Sequence, residues 1–538
     1  MPSVRRASHT AGPVQATHSG VAWRCAGRID ASLYWRQGER AIQNEPMSTP
    51  FATSLGSPPV HAVDSKPQDT LYLQIAERLA QSIRAGTLSR GERIPSVRDL
   101  ARQQGVSPST AVQAYRALED ARLIEARPRS GYFVAARPAR LPEPEPSAPP
   151  AASLPVDVSS LGEQVMRLAM DPAYISFGAA CPSGELFAQE RVRRAVSRAA
   201  QRHRASLCRY PLGPGNDGLR RAIARHALGM GCQLDPRDIL VTNGCLESIS
   251  LCLRAVTRPG DVVALESPTY FGFLEILESM HLRALEIPTH PRTGLSLDAL
   301  QLAFDTQPVK AVLAVPTLSN PMGSCMPLAD RKRLAQMLSQ RGIPLIEDVL
   351  YNDLAEQDDK RRAVKAFDST GDVMICGSFS KTVAPGIRLG WVEGGRWSAQ
   401  LRRLKAVHSG GHTELLEVAM ADLLTQPGHE SAYRQLRATV AARVDEARGL
   451  IAESFPKGTR VTDPAGGFIL WVELPAGIDS VALFHACLAR KICIAPGTMF
   501  SATDRFRHCI RLGVGGRWDE AQRAALREVG AIARRMLG

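Results

Sequence analysis

No stretch of this 538-residue chain approaches the ~18 uninterrupted apolar residues that a membrane-spanning helix needs, which excludes an integral helical membrane protein. Arg5 and Arg6 have no apolar run behind them, so the N-terminus is not a secretory signal. The eleven cysteines include no C-x-x-C pair, and an odd number so spaced suits neither a disulfide scaffold nor a zinc ribbon. No internal repeat is present, and no metal site is expected. What is there is ordinary globular chemistry: 44% hydrophobic and 22% charged residues exclude wholesale disorder. The expectation is a soluble, cytoplasmic protein of roughly three or four domain-sized pieces, with no membrane partner. Its net charge of +13 is compatible with a polyanionic partner, although arginine-rich chains often carry such a surplus without one.

Composition places the boundaries. Residues 1–67 mix Gly, Pro, Ser, Thr and His with few repeated apolar positions, and read as a disordered leader. Their basic, acid-poor bias also suits a transit peptide, and Met47 offers a second start. Residues 68–136 form a small module. Residues 137–157 read as a semi-extended, proline-rich linker, with seven prolines between Pro138 and Pro155. Residues 158–538 form a long α/β region.

The module yields to a residue-by-residue reading. Leu71, Ile75, Leu79 and Ile83 recur at i+4 behind Thr70 as N-cap, and Gly86 stops that helix. Ser96-Val97-Arg98-Asp99 has the form of a capping box, and Gly105 closes the second helix. A third opens at Ser107 and Pro108 and shows Ala111, Ala114, Tyr115 and Leu118 on one face. Strands around Leu123–Glu125 and Tyr132–Val134 flank a turn. Three short helices and a hairpin make a winged helix-turn-helix. Hydroxyls at a helix N-terminus suit phosphates, Gln113 can reach an adenine edge, and Arg98 and Arg129 can neutralise flanking phosphates of double-stranded DNA. The alternative is a three-helix protein-interaction domain with a solvated basic face.

The run from Leu71 to Val134, with IPSVRDLA and the wing SGYFV, resembles the DNA-binding domain of GntR-type bacterial repressors. The resemblance implies DNA contacts by Arg98, by Ser107, Ser109 and Thr110, and by Gly131 in the wing. Pro108 stands where some relatives have an arginine, so base preference does not carry over.

In the long region, polar residues follow apolar strands, where α/β sheets place ligands. ILVTNGCLESISLCLRAV reads as strand, turn and helix, a cradle for phosphate. Further strands lead to Tyr270, to Asn320-Pro321, to Glu347-Asp348 with Tyr351, and to Ser378, Lys381 and Arg388. A lysine beside apolar strands loses its proton cheaply and can condense with an aldehyde. An aspartate keeps a pyridine nitrogen protonated, a tyrosine and an asparagine bond a ring oxygen, and serine, arginine and a helix N-terminus hold a phosphate. Together they describe a site for pyridoxal 5′-phosphate. Taken singly, each residue reads as well as a surface lysine, a helix cap, a core aromatic or an ion-pair partner.

The order resembles fold type I aminotransferases from Ile175 to Leu537, with a large α/β domain and a smaller C-terminal one. By that likeness Lys381 is the Schiff-base lysine, Asp348 the pyridinium partner, and Tyr351 and Asn320 the ring-oxygen donors. Tyr270 stacks on the ring, while Gly244, Cys245, Ser378 and Arg388 bind phosphate. Arg511 holds a substrate carboxylate, and Tyr210 reaches the partner subunit's phosphate, which implies a dimer. Met322 and the pair Cys245-Leu246 depart from the commoner residues, and the pair leaves side-chain donation to the phosphate open. A GntR-like winged helix, a proline-rich linker and an aminotransferase-like domain, in that order, resemble the MocR group of transcriptional regulators. That likeness implies a head-to-tail homodimer that senses a small amino compound, or the cofactor itself, and alters operator binding. The rival is a working aminotransferase with a secondary DNA-binding domain.

Overall fold

The computed structural model describes residues 71–84, 87–88, 92–120, 123–127, 130–134, 141–157 and 160–538. The leader, Thr70, Gly86 and Arg129 lie outside the described residues.

Helix α1 (Leu71–Arg84), α2 (Val97–Gln104) and α3 (Pro108–Asp120) precede an antiparallel hairpin of β1 (Ile124–Arg127) and β2 (Gly131–Val134). The caps follow the sequence. Ser96 accepts from the Asp99 amide, Gly105 closes α2 at φ 64°, and the Ser107 hydroxyl accepts from the Thr110 amide at 3.2 Å. Ala111, Ala114, Tyr115 and Leu118 are buried, and Tyr115 donates to the Pro95 carbonyl. One expectation needs correction: the buried stripe of α1 is Ile75, Ala76 and Ala80, while Leu71 is exposed. Leu79 and Ile83 are half-buried and pack against that core, whereas steps of four residues overshoot a 3.6-residue turn and leave Leu71, three steps before Ile83, off the packed face. Residues 92–94 also join the wing through an isolated antiparallel bridge between Arg93 and Phe133, in which Ile94 donates to Tyr132 and Val134 donates to Glu92.

Over residues 141–157 the proline-rich stretch is not a free spacer. Ser147 exchanges hydrogen bonds with Thr289, and its hydroxyl donates to the Ser267 carbonyl. Leu154–Pro155 pairs antiparallel with Arg283–Ala284.

Beyond it stands a large mixed sheet. Edge to edge its strands are Leu154–Pro155, Arg283–His290, Val262–Ser267, Val309–Ala314, Leu345–Asp348, Val373–Ser378, Gly390–Glu393 and Ile239–Thr242. The five from Arg283–His290 to Val373–Ser378 are parallel, and Gly390–Glu393 runs against both its neighbours. Val262–Ser267, Leu345–Asp348 and Val373–Ser378 are buried at every position, as befits parallel strands covered on both faces. A smaller sheet of Arg460–Val461, Ile469–Glu473, Cys509–Gly513 and Ala495–Pro496 packs with the long helix His429–Ser454 and the final helix Glu520–Leu537. Among the described residues, no helix is long and apolar enough to cross a membrane.

Candidate functional site

A cavity of about 250 Å³ opens where the parallel strands end. Cys245, Tyr270, Asn320, Asp348, Tyr351, Ser378, Lys381, Arg388 and Arg511, all singled out from the sequence, line it together. Strand ends explain the convergence, since Asp348 and Ser378 close neighbouring parallel strands.

One end suits an anion. Gly244 is the N-cap of the helix Cys245–Val256, where free amides and the helix dipole favour negative charge. Its φ of 97° favours glycine, and a β-carbon there would stand 2.8 Å from the Arg388 guanidinium. The glycine therefore lets that guanidinium come up to the helix terminus. Arg388 donates to the Ser380 hydroxyl at 3.3 Å, and the Ser378 hydroxyl lies 2.8 Å from the Leu389 carbonyl and 3.0 Å from Ser380.

At the buried end, Asp348 accepts from the Leu350 amide at 2.8 Å and from the Cys245 thiol at 3.3 Å, both on Oδ1. Burial pushes its carboxyl up to about 6, against the pull of those two donors and of Lys381. The Tyr270 ring makes T-shaped contacts with Phe271 and Phe273 and lines the cavity. Burial pushes its phenol up to about 12 and drives that of Tyr351 higher still, so both hydroxyls keep their protons.

Lys381 lies between these ends. Its Nζ donates to the Ala180 carbonyl at 2.6 Å and stands 3.9 Å from the Cys181 sulfur. Arg511 is 1% exposed, bonds the Gly178 carbonyl and the Asn320 side chain, and lies over the Phe500 ring. Its Nε has no partner among the described residues.

Tyr210 is not in this cavity. Its ring is 91% exposed, on a loop that forms a separate cleft with Gly411, His412, Glu414 and Glu417. Sequence reasoning missed Ser380, although it stands between Ser378 and Lys381. It also missed Cys181, which no local signal marks, because 200 residues separate it from Lys381.

On the winged helix, Arg98, Ser107, Ser109 and Gln113 are exposed, and Thr110 and Gly131 are half-buried. The Ser107 hydroxyl bonds those of Ser109 and Thr110 at 2.7 and 2.8 Å. Gly131 has φ 98°, and the Arg93 guanidinium lies 3.5–3.6 Å from where its β-carbon would be. Arg93 escaped the sequence reading because only its antiparallel bridge to Phe133 brings it there.

Residues 71–134 match the bacterial regulatory proteins of the gntR family, and residues 180–525 match aminotransferase class I and II. Two uncharacterized HTH-type transcriptional regulators of Escherichia coli K12 align over nearly their whole length. YjiR is 35% identical across 87% of this chain and 100% of its own, and YdcR is 33% identical across 87% and 99%. The chain belongs to the MocR-type transcriptional regulators. This MocR-type chain also shares the fold of the Thermus thermophilus α-aminoadipate aminotransferase LysN, solved with N-(5′-phosphopyridoxyl)-L-leucine. The TM-score is 0.64 at 26% identity, over 69% of this chain and 95% of that one. The kynurenine aminotransferase of Pyrococcus horikoshii, solved with PMP, gives 0.65 at 25% identity over 71% and 96%. A MocR-type regulator binds DNA through its winged helix and carries an aminotransferase fold of a pyridoxal phosphate-dependent family behind it.

Proposed function

We propose that this regulator binds pyridoxal 5′-phosphate in the cavity and uses it to sense a small amino compound, which alters operator binding. The observation that carries the reading is the convergence of three groups on one cavity: Lys381, the buried Asp348, and the anion-binding end at Gly244, Arg388 and Ser378. The donor set fits the cofactor. A dianion has a helix N-terminus and a guanidinium, a pyridine nitrogen has a buried carboxylate, and an aldehyde has a lysine.

When bound, the cofactor supplies an aldehyde that captures amines and a ring that withdraws electrons. Lys381 holds it covalently and moves the proton at the amine carbon. Asp348 keeps the ring nitrogen protonated, Tyr270 covers one ring face, and Tyr351 and Asn320 bond the ring oxygen. Cys245 contributes its amide to the phosphate at the helix start. Arg511 takes a carboxylate of the effector. Tyr210, exposed beside the 83% exposed Leu212, reaches the phosphate held by the partner subunit in a head-to-tail homodimer. On the operator, Arg98, Ser107, Ser109, Thr110, Arg129 and Gly131 meet the backbone, and Gln113 reads a base edge. Switching requires the effector to bind one arrangement of the dimer better than another, since equal affinity shifts nothing.

Lys381, Asp348 and Arg511 all remain, which also favours the rival reading of an active aminotransferase acting on an amino acid. One experiment separates the two. The cofactor-loaded protein is reduced with borohydride and its peptides mapped by mass spectrometry. In parallel, operator retention and turnover are followed during titration with amino acids. The label is expected on Lys381, with operator binding that changes with amino acid and no sustained turnover. Label on another lysine overturns the pocket. Turnover at an ordinary enzymatic rate, without specific DNA retention, makes the chain an enzyme.

A further inference from the structure

The helix Cys245–Val256 begins at the anion-binding end of the cavity, yet the side chain of its first residue points elsewhere. The Cys245 sulfur lies 3.3 Å from Asp348 Oδ1, the oxygen that also accepts from the Leu350 amide. No donor among the described residues reaches Oδ2, and Asp348 lines the cavity. The neighbouring lining residues Phe273 and Val315 offer no side-chain donor. Cys245 as a whole is 6% exposed. Burial first, and the Asp348 carboxylate next, hold its thiol well above its ordinary value, so it keeps the proton that it donates.

We infer that Cys245 is a positioning residue for Asp348: its thiol and the Leu350 amide together fix Oδ1, so that Oδ2 is presented to the ring nitrogen of the bound cofactor. The inference rests on the pyridoxal phosphate reading of the cavity and deepens it. It gives this cysteine two separate tasks, since its amide faces the phosphate end while its sulfur serves the ring end some distance away. Leu350 alone leaves the carboxylate free to turn about that one bond. A second donor from a different element, at the mouth of the phosphate helix, locks its orientation and ties the two ends of the cofactor site together.

The test compares full-length wild type, Cys245→Ala, Cys245→Ser and Asp348→Asn, and Cys245→Ala combined with Asp348→Asn. The readouts are pyridoxal phosphate affinity and the pH midpoint of the visible band of the lysine-bound cofactor. A sulfhydryl is a weak donor, so Cys245→Ala should weaken affinity about 3- to 10-fold. It should also move the pH midpoint by about 0.5–1 unit, the same range on a logarithmic scale. Cys245→Ser, which restores a donor, should recover most of both. In the Asp348→Asn background the alanine substitution should have almost no further effect, because coupled neighbours are non-additive. Thermal melts of the apo-proteins establish that each variant folds, and Cys245→Ser carries the test should the alanine variant fail to fold. Unchanged affinity and midpoint in Cys245→Ala, no rescue by serine, or the full loss persisting in the Asp348→Asn background would each overturn the inference. A wild type that binds cofactor with no visible band would overturn the pocket reading and this inference with it.

Discussion

The ammonium of Lys381 sits where charge is disfavoured: burial lowers its pKa, Cys181 pulls the other way, and Arg511 and Arg388 add repulsion. A lowered value means more neutral amine at any given pH, and the neutral amine is the form that attacks an aldehyde. The rate of covalent cofactor capture by apo-protein should therefore rise with pH through a midpoint below lysine's usual 10.5. Arg511→Gln removes a nearby positive charge and should move that midpoint upward, whereas Arg511→Lys should hold it. Stopped-flow absorbance across pH gives the answer, and an identical midpoint in Arg511→Gln would contradict the electrostatic account. Gly244 makes a sharper case. Alanine there adds a β-carbon 2.8 Å from the Arg388 guanidinium at φ 97°. Gly244→Ala should thus weaken cofactor binding while leaving the melting profile of the winged helix untouched. Asp348 and Lys381 were legible because they stand at or just past the end of an apolar strand, and Arg388 because it follows Lys381 by seven residues. The direction of the Cys245 thiol and the presence of Cys181 were not, since both depend on which distant strand ends meet.

Helix α3 shows what a single element contributes. Ser107 caps it through the Thr110 amide, and three hydroxyls bond one another at its start, all on the face proposed to meet phosphates. Ser107→Ala should cost the winged helix about 1 kcal/mol, the usual worth of a cap, measurable by denaturant unfolding of the full chain. Arg98 and Gln113 should separate in their effects. Arg98→Ala should weaken specific and random DNA alike and reduce the salt slope by about one. Gln113→Ala should instead relax specificity, by about 1–3 kcal/mol for a lost bidentate base contact. Gel shifts at several salt concentrations distinguish them, and two unchanged affinities would move the recognition face elsewhere. Caps and turns made these helices readable, because Ser96, Gly105 and Ser107 act locally. In α1 only Leu71 misled, because drift over successive i+4 steps carries it off the packed face, and the bridge at Arg93 was invisible because residues 92–94 pair only through tertiary approach.

The stretch 141–157 works across the whole aminotransferase-like region. Glu143 pairs with Arg292 beside the large sheet, and its other oxygen accepts from the Asp463 amide beside the small one. Val461 donates to the Pro142 carbonyl, and Arg460 pairs with Glu145, again on the small-sheet side. Ser147 and Ser153 bond the large sheet through Thr289, Ser267 and Arg283. One short strap thus holds both sheets, and it touches Ser267, three residues before Tyr270 of the cavity. Its prolines lower the entropy lost on docking, because φ is already set at each of them. The ion pairs contribute little, since Arg292 and Glu145 are more than half exposed. The hydrogen bonds of Glu143 and Ser147, part-buried, should matter more. Glu143→Ala combined with Ser147→Ala should therefore loosen the strap by about 1–2 kcal/mol, which raises its open population roughly 5- to 30-fold. Proteinase K should cut between Pro146 and Ser153 faster in that variant by a similar factor when reclosing outpaces cleavage. Glu145→Gln, altering only an exposed carboxylate, should change the rate by less than about twofold. Equal cleavage of wild type and double variant would show that the strap is held by Leu154–Pro155 and its apolar neighbours instead, and that the bridge at Glu143 contributes nothing to its docking.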